Sequence, residues 1–137
     1  MVYALDTNTV IRYLRNEVSI LQNFNKAVMN RDNFAIPKVV DYEIRRGFHV
    51  YPAPNKETAY KILIGEKFCD IAEMDAHCWE RAGHIYKELY QKKFTIGDLD
   101  ILIAAICLKN GYTLVTNNTK DFKNIDGLNI KDWQKDD

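Results

Sequence analysis

The chain has 137 residues, near the commonest size for a single domain and enough to bury one core. Its 47% hydrophobic and 28% charged residues match an ordinary soluble globular protein, and the longest apolar run, Ile101 to Leu108, is far short of the about 20 residues that span a bilayer. Lys plus Arg and Asp plus Glu number 19 each, so the global charge gives no sign of a nucleic-acid partner, and any such binding must come from local patches.

Val2 to Leu5 is a short apolar run of β-formers, stopped by the cap residues Asp6, Thr7 and Asn8. Val10, Ile11 and Leu14 then repeat at helical spacing, with Arg12 and Arg15 on the outside. A second helix is expected over Ile20 to Met29, with Ile20, Leu21, Phe24, Val28 and Met29 as its apolar face. Asn33 to Ile36 reads as a buried strand, and Pro37 starts a helix that Gly47 ends. Pro52 and Pro54 make Phe48 to Asn55 a loop or a broken turn.

Helix is expected again from about Lys56 to Gly65, then a strand near Phe68 to Ile71. Asp75 to Lys92 reads as a long amphipathic helix with Trp79, Ala82, Ile85, Tyr86 and Leu89 on one side. Thr95 to Lys109 is the next helix, stopped by Gly111. Tyr112 to Val115 and Leu128 to Ile130 complete the strands. Short apolar strands alternating with helices imply one α/β domain, 1–137, with a parallel sheet covered on both faces. Sites in such sheets form at the carboxyl ends of strands, where Asp6 and the loop Thr116-Asn117-Asn118 both fall.

Several classes of site have little support. Cys69, Cys78 and Cys107 are an odd number without C-x-x-C spacing, so buried reduced thiols are expected rather than disulfides or zinc. His49, His77 and His84 form no H-x-x-x-H pair. The start MVYALDTN lacks the basic residues and apolar stretch of a signal peptide, which makes a cytoplasmic setting the expectation.

The informative residues are acidic. Asp6 directly follows a strand; it either caps the next helix or, since Thr7 and Asn8 can cap equally well, is free for chemistry. Glu43 lies beside Val39 and Val40 on the apolar side of its helix, where a carboxylate needs a partner or a metal, whereas Asp41, Arg45 and Arg46 read as solvent-facing. Its plain structural alternative is a pair with Arg46 or Lys38. Asp98 and Asp100, two residues apart, point to nearly opposite sides of one helix. Thr95-x-x-Asp98 resembles a capping box, which gives Asp98 a structural role; Asp100, just before a buried run, has no such role. Asn118 and Asp121 read by themselves as turn chemistry before Phe122. Carboxylates gathered from distant parts of a chain are costly to crowd unless a cation neutralises them.

Together, L-D-T-N at the start, the helical Glu43 before Arg-Arg-Gly, D-x-D-x-x-I-A-A and V-T-N-N-T-x-D-F resemble the PIN-domain ribonucleases. Within that family the chain is similar to the VapC toxins of toxin–antitoxin modules, and the likeness runs to G-L-x-I-x-x-W at Gly127 to Trp133. The resemblance implies a three-layer α/β/α fold with a short parallel sheet. It also implies an acidic centre of Asp6, Glu43 and Asp100, with Asn118 or Asp121 at a fourth, variable station and Thr116 supporting it. Asp98 is an acid that only part of the family carries. Val40 departs from the family, which often has Ser or Thr there.

The resemblance implies hydrolysis of RNA, of the transfer or ribosomal class, to a 5′-phosphate and a 3′-hydroxyl. Hard carboxylate donors favour Mg²⁺ or Mn²⁺, with Asp6 and Asp100 as direct ligands and Glu43 binding through water or orienting the attacking water. Arg12, Arg15, Arg45, Arg46, Lys92 and Lys93 are candidate RNA contacts, and Tyr13, Phe48 and Tyr51 candidate stacking residues, each with a bland alternative as solvated face or core. A homodimer and a VapB-type antitoxin filling a groove near Phe48 to Tyr60 also follow from the resemblance alone. A PIN-type nuclease of RNA processing and a catalytically idle protein-binding domain stay open as alternatives.

Overall fold

The structure is a computed structural model that describes residues 1–65 and 69–134. The apolar run Val2–Leu5 forms strand β1, and Asp6 turns the chain into helix α1 (Thr7–Leu14). Helix α2 (Val18–Met29) leads to β2 (Asn33–Pro37), and α3 (Lys38–Val50) and α4 (Pro54–Gly65) lead to β3 (Cys69–Ala72). Helices α5 (Ala76–Gln91) and α6 (Asp98–Asn110) return to β4 (Thr113–Val115). The short helix α7 (Thr119–Phe122) and strand β5 (Ile130–Lys131) follow.

The strands lie in the order β3-β2-β1-β4-β5, and every pairing is parallel. The chain therefore steps one way from β1 to β3, then crosses back past β1 to β4. Right-handed crossovers put α1 to α4 on one face and α5 and α6 on the other, giving the expected three-layer α/β/α arrangement. The reversal of winding falls between β1 and β4, so a crevice is expected at their carboxyl ends. Because α6 feeds β4, its N-terminus opens at that same edge.

Helix α6 is apolar nearly all round: Ile101, Ile103, Ala104, Ala105, Ile106 and Cys107 are all buried. It packs against α5 and touches α3, β2 and β4, so it anchors its first-turn acids to the core. Gly111, at φ 70°, supplies the left-handed residue that closes it. On the other side Trp133 (2% exposed) packs edge-on against Tyr3 and Phe34, and Asn23 Nδ2 donates to its carbonyl at 3.1 Å. The three cysteines are free and buried. Among the described residues no helix is long and apolar enough to cross a membrane.

Several local expectations need correction. Helix α3 does not stop at Gly47 but runs to Val50: Gly47 has no left-handed backbone, and Pro52 restricts only the residue before it. Asp41 is buried, not solvent-facing (6% exposed), because it accepts from Tyr60 Oη at 2.7 Å and twice from Arg45 Nε at 2.9 Å. The buried stripe of α5 is Cys78, Ala82, Ile85 and Leu89; Trp79 and Tyr86 lie on its exposed side. In α2, Asn23 and Ala27 take inward places with Ile20 and Phe24, while Val28 and Met29 face outward.

Helix α6 begins at Asp98, three residues later than expected. Gly97 is its N-cap and makes no side-chain bond, so Thr95 and Asp98 form no capping box. The last strand is Ile130–Lys131 rather than Leu128 to Ile130. Of the strand expected near Phe68 to Ile71, Phe68 lies outside the described residues, and β3 begins at Cys69.

The Asp41 and Tyr60 pair ties α3 to α4. Burial and the Asp41 carboxylate push the Tyr60 hydroxyl upward, keeping it a donor. Tyr60→Phe leaves a buried carboxylate one donor short and is expected to lower stability by about 1–3 kcal/mol. Urea unfolding measures it; a midpoint equal to the wild type's would show that the bond contributes nothing.

Candidate active site

Four carboxylates converge at the carboxyl edge of the sheet, each placed by a different element. Asp6 ends β1, and its backbone N–H donates to Val115 O at 3.0 Å, which fixes it beside β4. Glu43 projects from α3, Asp100 from the first turn of α6, and Asp121 from α7.

Asp6 is 5% exposed, and each of its oxygens accepts one hydrogen bond. Its Oδ1 accepts from Thr7 N at 2.8 Å, and its Oδ2 accepts from Thr116 Oγ1 at 2.7 Å. It is therefore the N-cap of α1 as well as a member of the cluster, so the two roles expected as alternatives coexist. Burial raises its pKa; the bonds from Thr116 and Thr7 offset part of that, and the Glu43 charge adds to it.

The remaining bonds continue on either side of Asp6. Thr7 Oγ1 donates to Glu43 Oε1 at 2.7 Å. Thr116 Oγ1 accepts from Asn118 N at 3.0 Å, and Asn118 Nδ2 donates to Asp121 Oδ2 at 3.1 Å. One chain of bonds thus runs Glu43, Thr7, Asp6, Thr116, Asn118, Asp121, and at Thr116 the sequence left its partner unstated. Thr7 was foreseen only as a cap. A hydroxyl residue directly after a strand-end Asp is the signal for a wider role.

Asp100 differs from the others. Among the described residues nothing donates to it and no basic side chain pairs with it. Its pKa is pushed up to about 6, first by burial and then by the charges of Asp6, Glu43 and Asp121. A half-buried carboxylate facing three others is short of positive charge. Asp98 is exposed at the start of α6 and is not among the charges that raise Asp100.

The basic candidates divide the same way. Arg12 is taken by Glu17 at 3.1 Å and Arg45 by Asp41. Arg46 stands 3.7 Å from Glu43 Oε2 with its guanidinium over the Tyr42 ring. Arg15 lines a cleft of about 340 Å³ whose wall includes Ile11, Leu14, Glu43, Phe48 and Tyr51. Lys92 is bound to Asp126 at 2.9 Å. Tyr13 packs on Phe24 and Phe48 on Tyr60, which leaves Tyr51 (78% exposed) as the stacking candidate in the open.

Among the described residues, no three His, Cys, Asp or Glu side chains close around an ion as they lie. The donor set nevertheless suits a hard cation. All its atoms are oxygens, the group carries uncompensated negative charge, and Mg²⁺ commonly keeps several waters and uses only one or two carboxylates directly.

Comparison with known proteins matches the PIN domain over residues 3–128. The chain is 32% identical to ribonuclease VapC2 of Rickettsia felis over 98% of its length and 100% of that protein. It is 30% identical to the tRNA(fMet)-specific endonuclease VapC of Shigella flexneri, over 96% of this chain and 97% of that one. The fold superposes with a TM-score of 0.84 on a chain of Rickettsia felis VapBC2 bound to a promoter DNA fragment, at 30% identity and covering 97% and 99% of the two chains.

Proposed function

The chain belongs to the PIN-domain family, and from that premise we propose that it is a metal-dependent endoribonuclease, the toxin of a VapBC-type pair. The observation that carries this reading is Asp100: a carboxylate with no donor among the described residues, held beside Asp6, Glu43 and Asp121 at the edge where the fold opens a crevice. A fold with no cation to bind gains nothing from that repulsion.

Asp6 and Asp100 are the direct ligands in this reading, and Glu43 acts through water. When bound, Mg²⁺ or Mn²⁺ supplies Lewis acidity to a phosphate oxygen and lowers the pKa of a water. The chain's own residues do the positioning. Thr116 and Thr7 fix both oxygens of Asp6, so that carboxylate cannot turn away from the crevice. Asn118 orients Asp121 from the opposite side. Glu43, with Oε1 held by Thr7, is set to accept a proton from the attacking water through Oε2. RNA of the transfer class is the proposed substrate, in keeping with the relative from Shigella flexneri named for tRNA(fMet). Arg15, which lines the cleft by Glu43, and Arg46, which stands beside Glu43, are the basic residues proposed to meet its phosphates.

The same cleft suits a VapB-type antitoxin. Its wall is apolar at Ile11, Leu14 and Phe48, and it ends on an acid that a basic side chain would neutralise. A homodimer and a cytoplasmic setting belong to this reading; the exposed Trp79, Tyr86 and Tyr90 of α5 offer apolar surface for a second copy.

Incubating purified, antitoxin-free protein with total RNA tests the proposal, with Mg²⁺, Mn²⁺ or EDTA and sequencing of the new 5′ ends. Discrete cuts are expected with either metal and none with EDTA. Intact RNA from folded protein under every condition would overturn it.

A further inference from the structure

The bond between Thr7 and Glu43 has a competitor. Glu43 is half-buried between two partners: Thr7 Oγ1 at 2.7 Å on Oε1, and the exposed Arg46 guanidinium at 3.7 Å from Oε2. The first distance is that of a short hydrogen bond to a charged acceptor, while the second is too long for one. Thr7 therefore holds the carboxylate toward Asp6, while Arg46, ion-paired with its other oxygen, draws it outward along the helix surface.

Thr7 also donates its backbone N–H to Asp6 Oδ1 at 2.8 Å. A single residue at the start of α1 thus bonds two of the four clustered carboxylates, one through the main chain and one through the side chain. The main-chain bond is available to any residue except proline. The hydroxyl bond is available only to Thr or Ser, since it spans 36 positions of sequence to reach a side chain on another helix.

We propose that Thr7 is a positioning residue of the metal centre, whose hydroxyl keeps Glu43 in the cluster against the pull of its ion pair with Arg46. The inference rests on the metal-dependent reading given above. Residues that orient metal-binding carboxylates without touching the ion typically change metal affinity by about 10- to 100-fold when removed.

The test is Mn²⁺ binding followed by calorimetry on the full chain at pH 7.5, for wild type, Thr7→Val and Thr7→Ser. Thermal unfolding confirms that each is folded. Thr7→Val preserves shape and removes the hydroxyl; it is expected to weaken Mn²⁺ by about 10-fold or more. Thr7→Ser keeps the donor and is expected to stay near wild-type affinity. Should the Val variant fail to fold, Thr7→Ala carries the same expectation. Equal affinity in wild type and Thr7→Val would overturn the assignment while leaving the metal centre intact. Equal loss in Val and Ser would also overturn it, because the methyl rather than the hydroxyl would then matter. Absence of Mn²⁺ binding by the folded wild type would remove the metal-dependent reading itself, and this inference with it.

Discussion

Asp100→Asn is expected to abolish RNA cleavage while making the metal-free protein more stable at pH 7.5. The two effects share one cause. Asp100 has no donor among the described residues and faces the charges of Asp6, Glu43 and Asp121, which together with burial push its pKa up to about 6. In the absence of a cation its ionised form is therefore a burden on the fold. Asparagine keeps the shape and removes the charge, relieving a repulsion worth no more than about 1–2 kcal/mol once solvent screening of a half-exposed group is allowed for. The same substitution replaces a hard anionic ligand with a weak neutral one. A loss of about a thousandfold in cleavage rate, near 4 kcal/mol of transition-state stabilisation, is the expected scale. Asp6→Asn should lose comparable activity, since Asp6 is the best-fixed acid of the group. Single-turnover cleavage and urea unfolding on the same preparation give both numbers. Cleavage within tenfold of wild type, or a less stable Asp100→Asn protein, would remove Asp100 from the centre.

Much of this arrangement was legible in the residues because the fold is parallel. Short apolar runs such as Val2 to Leu5 can be read as strands without knowing their partners. Once the sheet is parallel, every residue just past a strand must lie at one edge, which places Asp6 and Thr116 together. The caps could also be read: Gly111 ends α6 as expected. Faces of helices were harder. On α5, Ala82, Ile85 and Leu89 are buried as expected, but aromatic bulk suggested that Trp79 and Tyr86 point inward with them, whereas Cys78 takes the inward place. Hydrophobicity says a helix has an apolar side, but only the neighbouring element decides which of two adjacent stripes is buried.

Polar partnerships across elements were harder still. Asp41 looks exposed in sequence because Arg45 and Arg46 follow it, and nothing local announces that Tyr60 will donate to it from another helix. The Thr7 to Glu43 bond is hidden for the same reason: a capping residue and a helical acid 36 positions apart have independent local explanations. The family likeness supplied the acids and Thr116, but not the Thr7 hydroxyl that holds Glu43. Asp98 is the converse, since its spacing from Asp100 could be read, while its exposure required the position of the helix start.

Lowering the pH from 7.5 to 5 is expected to raise the unfolding temperature of the metal-free protein, and adding Mn²⁺ is expected to reverse that trend. The sign follows from Asp100, whose folded pKa of about 6 lies above its ordinary value of 3.8. Between those values the native state binds more protons than the unfolded chain, so stability grows as pH falls through 6, is complete below 3.8, and is lost as pH rises again. Asp6, also raised by burial, acts in the same direction. Asp75 acts oppositely, because its bond to Lys109 lowers it, but its contribution fades only at pH values below this window. Mn²⁺ needs the ionised carboxylates, so its binding adds stability at pH 7.5, about 2.7 kcal/mol at a hundredfold excess over Kd, and adds less at pH 5 where protons compete. Thermal unfolding at pH 5, 6, 7 and 7.5, with and without Mn²⁺, therefore separates two designs for the same four acids. A cluster kept for a cation gives slopes of opposite sign. If the metal-free midpoint instead falls steadily from pH 7.5 to 5, and Mn²⁺ leaves it unmoved, the acids are satisfied by the protein alone and the crevice has another use.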